Sequence, residues 1–304
     1  MRLRYGLLLL LGTLIPILSI GIIFAQEPEI SSDDYVYITC GVKDPTTELI
    51  KAAALDTAKR FGISLKILSP SKPLDVHETM KLLEKAIAAK PRGIAITLFH
   101  PTAFDVLVRQ AVMEGILVIS FFADDWTDNP RQAYVGYDWV METERLGVAL
   151  ARELLPRSKV LVFAHSGPDA RTTLKLKGLL NVFKHYNLLY EVLRANFGAE
   201  EEVLEEYWKG YGDEFDAIIG LDYETSVAIA KLAAKEDLDG VLLGGCIPTS
   251  VPLEGVDLNV FDALLRVVPE LQGAVPLEDL HYSYIYSVVP SDILLHAKLV
   301  LKEE

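Results

Sequence analysis

Cysteine is nearly absent from this 304-residue chain: Cys40 and Cys246 stand 206 positions apart and form neither a CxxC pair nor any metal-ligand spacing. That excludes a zinc module and a disulfide scaffold. Positive charge is scarce too, with 29 Lys and Arg against 43 Asp and Glu and a formal net charge of −14. A surface of that sign repels phosphate backbones, so nucleic acid is excluded as a partner. Asn and Gln together occur nine times and Met four times, a depletion of thermolabile residues that points to a thermophilic source. Catalytic signatures are missing as well: there is no GxSxG, no HExxH and no GxGxxG after a strand. The six histidines are scattered, and only His165-Ser166 places a base beside a nucleophile. Neighbours in sequence rarely face each other as a triad requires. The chain is therefore read as a non-enzyme, without cofactor and without metal.

What is abundant is apolar: 51% of residues are hydrophobic and 24% charged, enough for one large domain or two. Part of that excess is local. Arg2 and Arg4 precede Tyr5 to Ala25, a run of 21 residues without charge. Positive charge followed by an apolar stretch is the pattern of an export signal. At ~1.5 Å per residue the run would also span a bilayer core as an uncleaved anchor. Ile23-Phe24-Ala25 half meets the small-residue cleavage rule, so residues 1–25 are a signal peptide or an N-terminal anchor, and the membrane is met only there. With the basic residues ahead of the run, the bulk of the chain belongs outside the cytoplasm, on the extracellular face or in the periplasm. Gln26 to Asp34 is polar and aperiodic, a tether.

From Tyr35 onward, short apolar runs alternate with amphipathic stretches. Runs such as Tyr35–Cys40, Gly93–Leu98, Ile116–Phe121, Lys159–Ala164 and Phe215–Leu221 read as strands buried on both faces, and the pattern is α/β with parallel sheets. Two βα series of about a hundred residues each predict two Rossmann-like lobes. The expected division is 35–133 plus about 283–304 in the N-terminal lobe and 134–282 in the other, with AYVGYD between them. Val256–Val268 reads as a helix, Tyr282–Val289 as a strand with Tyr282, Tyr284 and Tyr286 alternating on one core face, and Pro290–Lys302 as a closing helix. Ligands in such sheets bind beyond the carboxyl ends of the strands, so the loops there are the candidate site.

The order of motifs resembles the periplasmic sugar-binding proteins of ABC transporters, the ribose-binding-like type 1 periplasmic binding protein fold, in which several strands form the hinge. It runs through PRGIAITLFHPTAF, EGILVISFFADD, RQAYVGYDWVMETERLGVALARELL, DARTTLKLKGLLNVF and DAIIGLDYETSVAIAKLA. The resemblance implies a clamp that closes on a small polar solute, a sugar in the first place, and hands it to an ABC permease. A nucleoside or other small solute, or a sensor that signals without transport, are the alternatives. The chain is expected to act as a monomer.

The resemblance also nominates residues. Asp44 sits where relatives often have Asn before Pro, and reads as a hydroxyl acceptor or as a helix cap. Thr46-Thr47 replaces an aromatic pair. Phe122 stands where relatives place a sugar-binding Asp, with Asp124 two residues on and Trp126 as a further stacking face. Lys175 takes the place of the cleft Arg three residues before Gly178, and Arg171, one helical turn earlier, can lend a guanidinium. Asp222 and Tyr223 follow the apolar strand that carries the acidic ligand residue. Cys40 and Cys246 are expected as buried thiols, since a bond between lobes would lock the clamp; an exported chain keeps a disulfide open as the alternative.

Overall fold

A computed structural model describes residues 29–124, 130–251 and 255–302. The N-terminal signal or anchor segment lies outside them. Among the described residues no helix is long and apolar enough to cross a membrane.

The chain builds two six-stranded sheets. The first half contains β1 (Tyr35–Ile38), α1 (Pro45–Phe61), β2 (Leu65–Leu68), α2 (Val76–Ala89), β3 (Gly93–Ile96), α3 (Asp105–Met113), β4 (Leu117–Phe121) and β5 (Ala133–Tyr137). The second contains α4 (Trp139–Ala151), β6 (Lys159–His165), α5 (Ala170–Tyr186), β7 (Leu189–Ala195), α6 (Glu200–Tyr211), β8 (Ala217–Gly220), α7 (Tyr223–Ala233), β9 (Leu242–Pro248) and β10 (Ala263–Val267). Then come α8 (Pro269–Tyr286), β11 (Ile293–Leu295) and β12 (Lys298–Leu301). The sheet orders are β11-β5-β4-β3-β1-β2 and β12-β10-β9-β8-β6-β7. Every pairing is parallel except that of β12 on β10. Strands such as β1, buried at all four positions, carry apolar side chains on both faces because helices cover both.

Asp44, Asp75, Asp138 and Asp169 each cap a helix by accepting a backbone N–H, which explains acidic residues placed just after strands and turns. Gly62 ends α1 in the left-handed conformation, the C′ role expected of it.

The chain crosses between sheets three times: at Asp138, at Val268 and at His296-Ala297. These positions correct the expected division. Strand β5 joins the first sheet before the first crossing, and α8 packs back on α1, β3 and β4 instead of staying with the second half to residue 282. The last strand, β12, then joins the second sheet.

Three expected elements also change. Val256–Val268 holds a short 3-10 turn at Leu258–Val260 and then β10 in place of a helix. Tyr282–Val289 is largely the end of α8, and the closing segment is two short strands. The tyrosine alternation suggested period two, but the buried positions Gln272, Gly273, Pro276, Leu277, Leu280 and Ser283 follow the helical period from Pro269 onward. Tyr282, Tyr284 and Tyr286 are consequently exposed, not core.

Candidate ligand-binding cleft

Within each sheet five strands follow the order 2-1-3-4-5, and the order reverses between β1 and β3 and between β6 and β8. Such switch points hold ligands in open α/β sheets. Here both open onto one cavity. From the first half come Asp44 and Thr46 after β1, Phe122 after β4, and Gln272 in the first turn of α8. From the second come His165, Arg171, Lys175, Asp222, Tyr223 and Glu224. Trp139 enters from the first crossing.

The halves touch over the cleft, so the arrangement is closed: the Ala170 backbone N–H donates to the Phe99 carbonyl at 2.8 Å. Arg171 lies 3.9 Å from the Phe122 ring centroid, a cation–π contact between halves. Phe122 reaches that place through a positive φ of 65°, an uncommon conformation for a residue other than glycine.

Charge in the cleft is buried and paired. Lys175 Nζ donates to Asp222 Oδ1 and to the Leu221 carbonyl, both at 2.7 Å, and lies 4.2 Å from the Trp139 ring centroid. Arg171 is held by Asp169 at 2.7 and 3.2 Å. His165 stacks on Phe197, with Nε2 2.9 Å from Glu200 and Nδ1 3.5 Å from Asp222 Oδ2.

Burial alone would raise the Asp222 carboxyl, yet the charges of Lys175 and His165 hold it well below the ordinary carboxylate range. Burial would likewise lower His165, but the carboxylates of Asp222, Glu224 and Glu200 outweigh it and push the imidazole up to about 9. Glu224 is pushed up to about 7, first by burial and then by the carboxylate of Asp44 across the cleft.

Three buried polar atoms on the lining have no hydrogen-bond partner: Asp222 Oδ2, Gln272 Oε1 and Trp139 Nε1. Two accept and one donates. Orphaned buried groups of this kind are costly, and a ligand that both donates and accepts relieves them.

Six of the eight residues nominated from sequence line this cavity: Asp44, Phe122, Arg171, Lys175, Asp222 and Tyr223. Asp44 also caps α1, accepting from Thr47 N at 2.7 Å, so both readings of it coexist. Asp124 is placed elsewhere. Its carboxylate is gripped by Arg131 Nε at 2.8 and 2.9 Å and accepts from Ser120 Oγ, and it is not on the lining. Trp126 lies outside the described residues. Trp139, His165, Phe197, Glu224 and Gln272 were not nominated as ligand contacts. The position of His165 at a strand's carboxyl end was a usable signal, whereas Gln272 depends on α8, which the sequence reading did not contain. Both cysteines are free buried thiols. Cys246 is on the lining, and burial pushes both thiols up and away from reactivity.

The model of the periplasmic binding protein domain matches residues 36–281. The chain belongs to the periplasmic binding protein family. The xylose/arabinose-binding protein XylF of Sulfolobus acidocaldarius is 23% identical, over 91% of this chain and 71% of that protein. Among solved structures, the ABC transporter solute-binding protein of Burkholderia graminis in complex with D-arabinose superposes with a TM-score of 0.79 at 16% identity, covering 90% of this chain and 97% of that one. A periplasmic sugar-binding protein from Legionella pneumophila gives 0.77 at 20% identity, covering 86% and 98%. For this family member the two sheets and their three crossings are the type 1 binding-protein fold.

Proposed function

We propose that the protein is an extracytoplasmic receptor that binds a monosaccharide, a pentose in the first place, in the closed cleft and delivers it to an ABC permease. The observation that carries this reading is the set of orphaned polar atoms, Asp222 Oδ2, Gln272 Oε1 and Trp139 Nε1, within one cavity that both halves close over. A run of adjacent hydroxyls donates to the two oxygens and accepts from the indole. Phe122 and Trp139 offer apolar faces for the ring carbons. Arg171 and Lys175, already buried and paired, orient oxygen ligands without a new desolvation cost. The relatives' ligands, xylose and arabinose, carry the adjacent hydroxyls that this set of donors and acceptors calls for. Residues 5–25 hold the receptor at the membrane and residues 26–29 link it, since the chain is already packed on the first half from Ile30 onward, shortening the expected tether. Asp124 acts as the partner of Arg131 and not as a ligand residue.

The test is a thermal-shift titration of the purified chain with D-xylose, L-arabinose, hexoses and nucleosides. At a hundred times its dissociation constant, the true ligand adds about 2.7 kcal/mol of stability. Asp222→Asn, which keeps shape but removes the charge and turns one acceptor into a donor, should weaken pentose binding at least ~10-fold, in line with a charged hydrogen bond. A nucleoside response without any sugar response would overturn the assignment.

A further inference from the structure

Exposed large apolar side chains are mostly scattered over the described surface, as at Leu55, Met113 and Leu155, but one stretch concentrates them. Tyr282, Tyr284, Ile285, Tyr286, Val288 and Val289 fall within eight consecutive residues at the end of α8 and the turn after it. All are exposed, Tyr286 at 66% and Val289 at 83%. Tyr282 and Tyr286 stack at 6.1 Å, while Ser283 is buried, so the helix end lies half sunk with an aromatic and aliphatic outer side. Contiguous apolar surface of this kind marks a place of contact.

The position of this turn identifies the contact. The chain enters the fold directly against it: Tyr35 bonds His281 at 3.1 Å and lies 6.5 Å from the Tyr284 ring. Arg92 pairs with Asp33 at 2.8 Å while sitting 5.2 Å over the same ring. Only residues 26–29 separate the docked Ile30 from the uncharged run Tyr5–Ala25. Fully extended they reach about 15 Å, so whatever holds the run lies close to this side of the fold. The tyrosines suit a lipid–water interface, where the ring meets acyl chains and the hydroxyl stays among headgroups.

A second copy fits less well. Six partly exposed side chains offer a few hundred Å², short of the roughly 800 Å² per partner of stable association. A tethered chain needs no such area, because the tether supplies effective concentration. The charge of −14 favours neutral or zwitterionic headgroups over anionic ones. Gln272, on the cleft lining, lies about 20 Å up the α8 axis, so a seat at the other end leaves the cleft clear.

We propose that the end of α8 with Val288 and Val289 is a membrane seat, on which the tethered receptor rests its first half at the lipid–water interface. The proposal rests on the anchored reading above and is independent of the ligand. The full chain, reconstituted in phosphatidylcholine vesicles, is iodinated and its tyrosines are mapped by mass spectrometry, before and after release by a protease site built into residues 26–29. Tyr282, Tyr284 and Tyr286 should be labelled at least three-fold less while attached, with Tyr190 and Tyr211 on the second half unchanged. Ile285→Lys with Val289→Glu should abolish the protection while the chain still floats with the vesicles. Equal labelling before and after release overturns the seat, and protection that survives release does too, since a second copy then covers the turn. A chain that fails to float, or whose mature N-terminus is Gln26, overturns anchoring itself. A pentose thermal shift on the released protein scores the ligand reading separately.

Discussion

Asp222 lies 2.7 Å from Lys175 and 3.5 Å from His165 in a chain of ion pairs, and each of the three is nearly inaccessible to water. Their protonation is therefore a property of the fold. His165 keeps its proton in the folded chain up to about pH 9, against about 6.5 when unfolded. Its contribution to stability is full below about 6.5 and is lost as pH rises through 9. Glu224, raised to about 7, also binds its proton more tightly folded than unfolded, so its effect has the same sign from about 4.3 upward. Asp222 runs the opposite way: depressed in the fold, it contributes above about 3.9 and loses that contribution on acidification. The expected outcome is a urea midpoint that falls between pH 7 and 9, and falls less in His165→Gln, where the two thiols raised by burial still add to the slope. A wild-type midpoint unchanged from pH 7 to 9 would refute the imidazolium assignment. These couplings are what sequence reading could not supply. Asp222 and Lys175 were each visible at a strand's end or on a cleft helix, but their bond joins positions 47 apart, and no local pattern reports such a pairing. Trp139 and Glu224 were hidden for the same reason.

At the scale of elements, strands such as β1, β3, β6 and β8 were readable because burial on both faces leaves an almost unbroken apolar run. Helix α8 was not, since its tyrosines imitate a strand and Pro276 sits within it. What holds α8 in place is close backbone approach. Tyr37 Oη donates to the Gly273 carbonyl at 2.7 Å, and a Cβ on Gly273 would lie 2.0 Å from the Ile50 carbonyl oxygen of α1. In Gly273→Ala two effects oppose each other. Helix propensity gains up to about 1 kcal/mol, while a clash with backbone, which cannot swing aside, costs about 1–3 kcal/mol. The clash should win. Because Gln272 is the preceding residue, α8 shifting off α1 should also weaken ligand binding. Chemical denaturation and calorimetric titration together check this, and a variant as stable as wild type would show that α1 gives way freely.

At the scale of the whole molecule, repetition of βα units made two halves readable, but not the crossings, because these depend on which distant strands pair at the sheet edges. The crossings are tied to one another: the Tyr137 hydroxyl accepts from Val268 N at 2.7 Å, and Arg145 donates to the Ala297 carbonyl at 3.0 Å. Closure is thus a rotation of two packed bodies about a laced hinge, and the free energy of the closed state is set by the few contacts that span the mouth. Proline at position 170 takes away the bond from Ala170 N to the Phe99 carbonyl and sets its Cδ where the N–H pointed, against that oxygen. Ala170 is the first residue of α5, a position that accepts proline because its N–H has no partner within the helix. The preceding Asp169, at φ −111° and ψ 112°, already has the extended conformation proline requires before it. Its cap to Arg171 N at 2.9 Å is unaffected. Ala170→Pro should therefore leave each half folded while removing a closed-state hydrogen bond worth about 0.5–1.5 kcal/mol and adding a clash of about 1–3 kcal/mol in the closed form. If ligand binds only the closed form, affinity falls by at least about 10-fold. Small-angle scattering of the ligand-free variant should give a larger radius of gyration than wild type. Unchanged affinity would mean that the Phe99 contact forms after binding is complete and contributes nothing to the closed state's advantage.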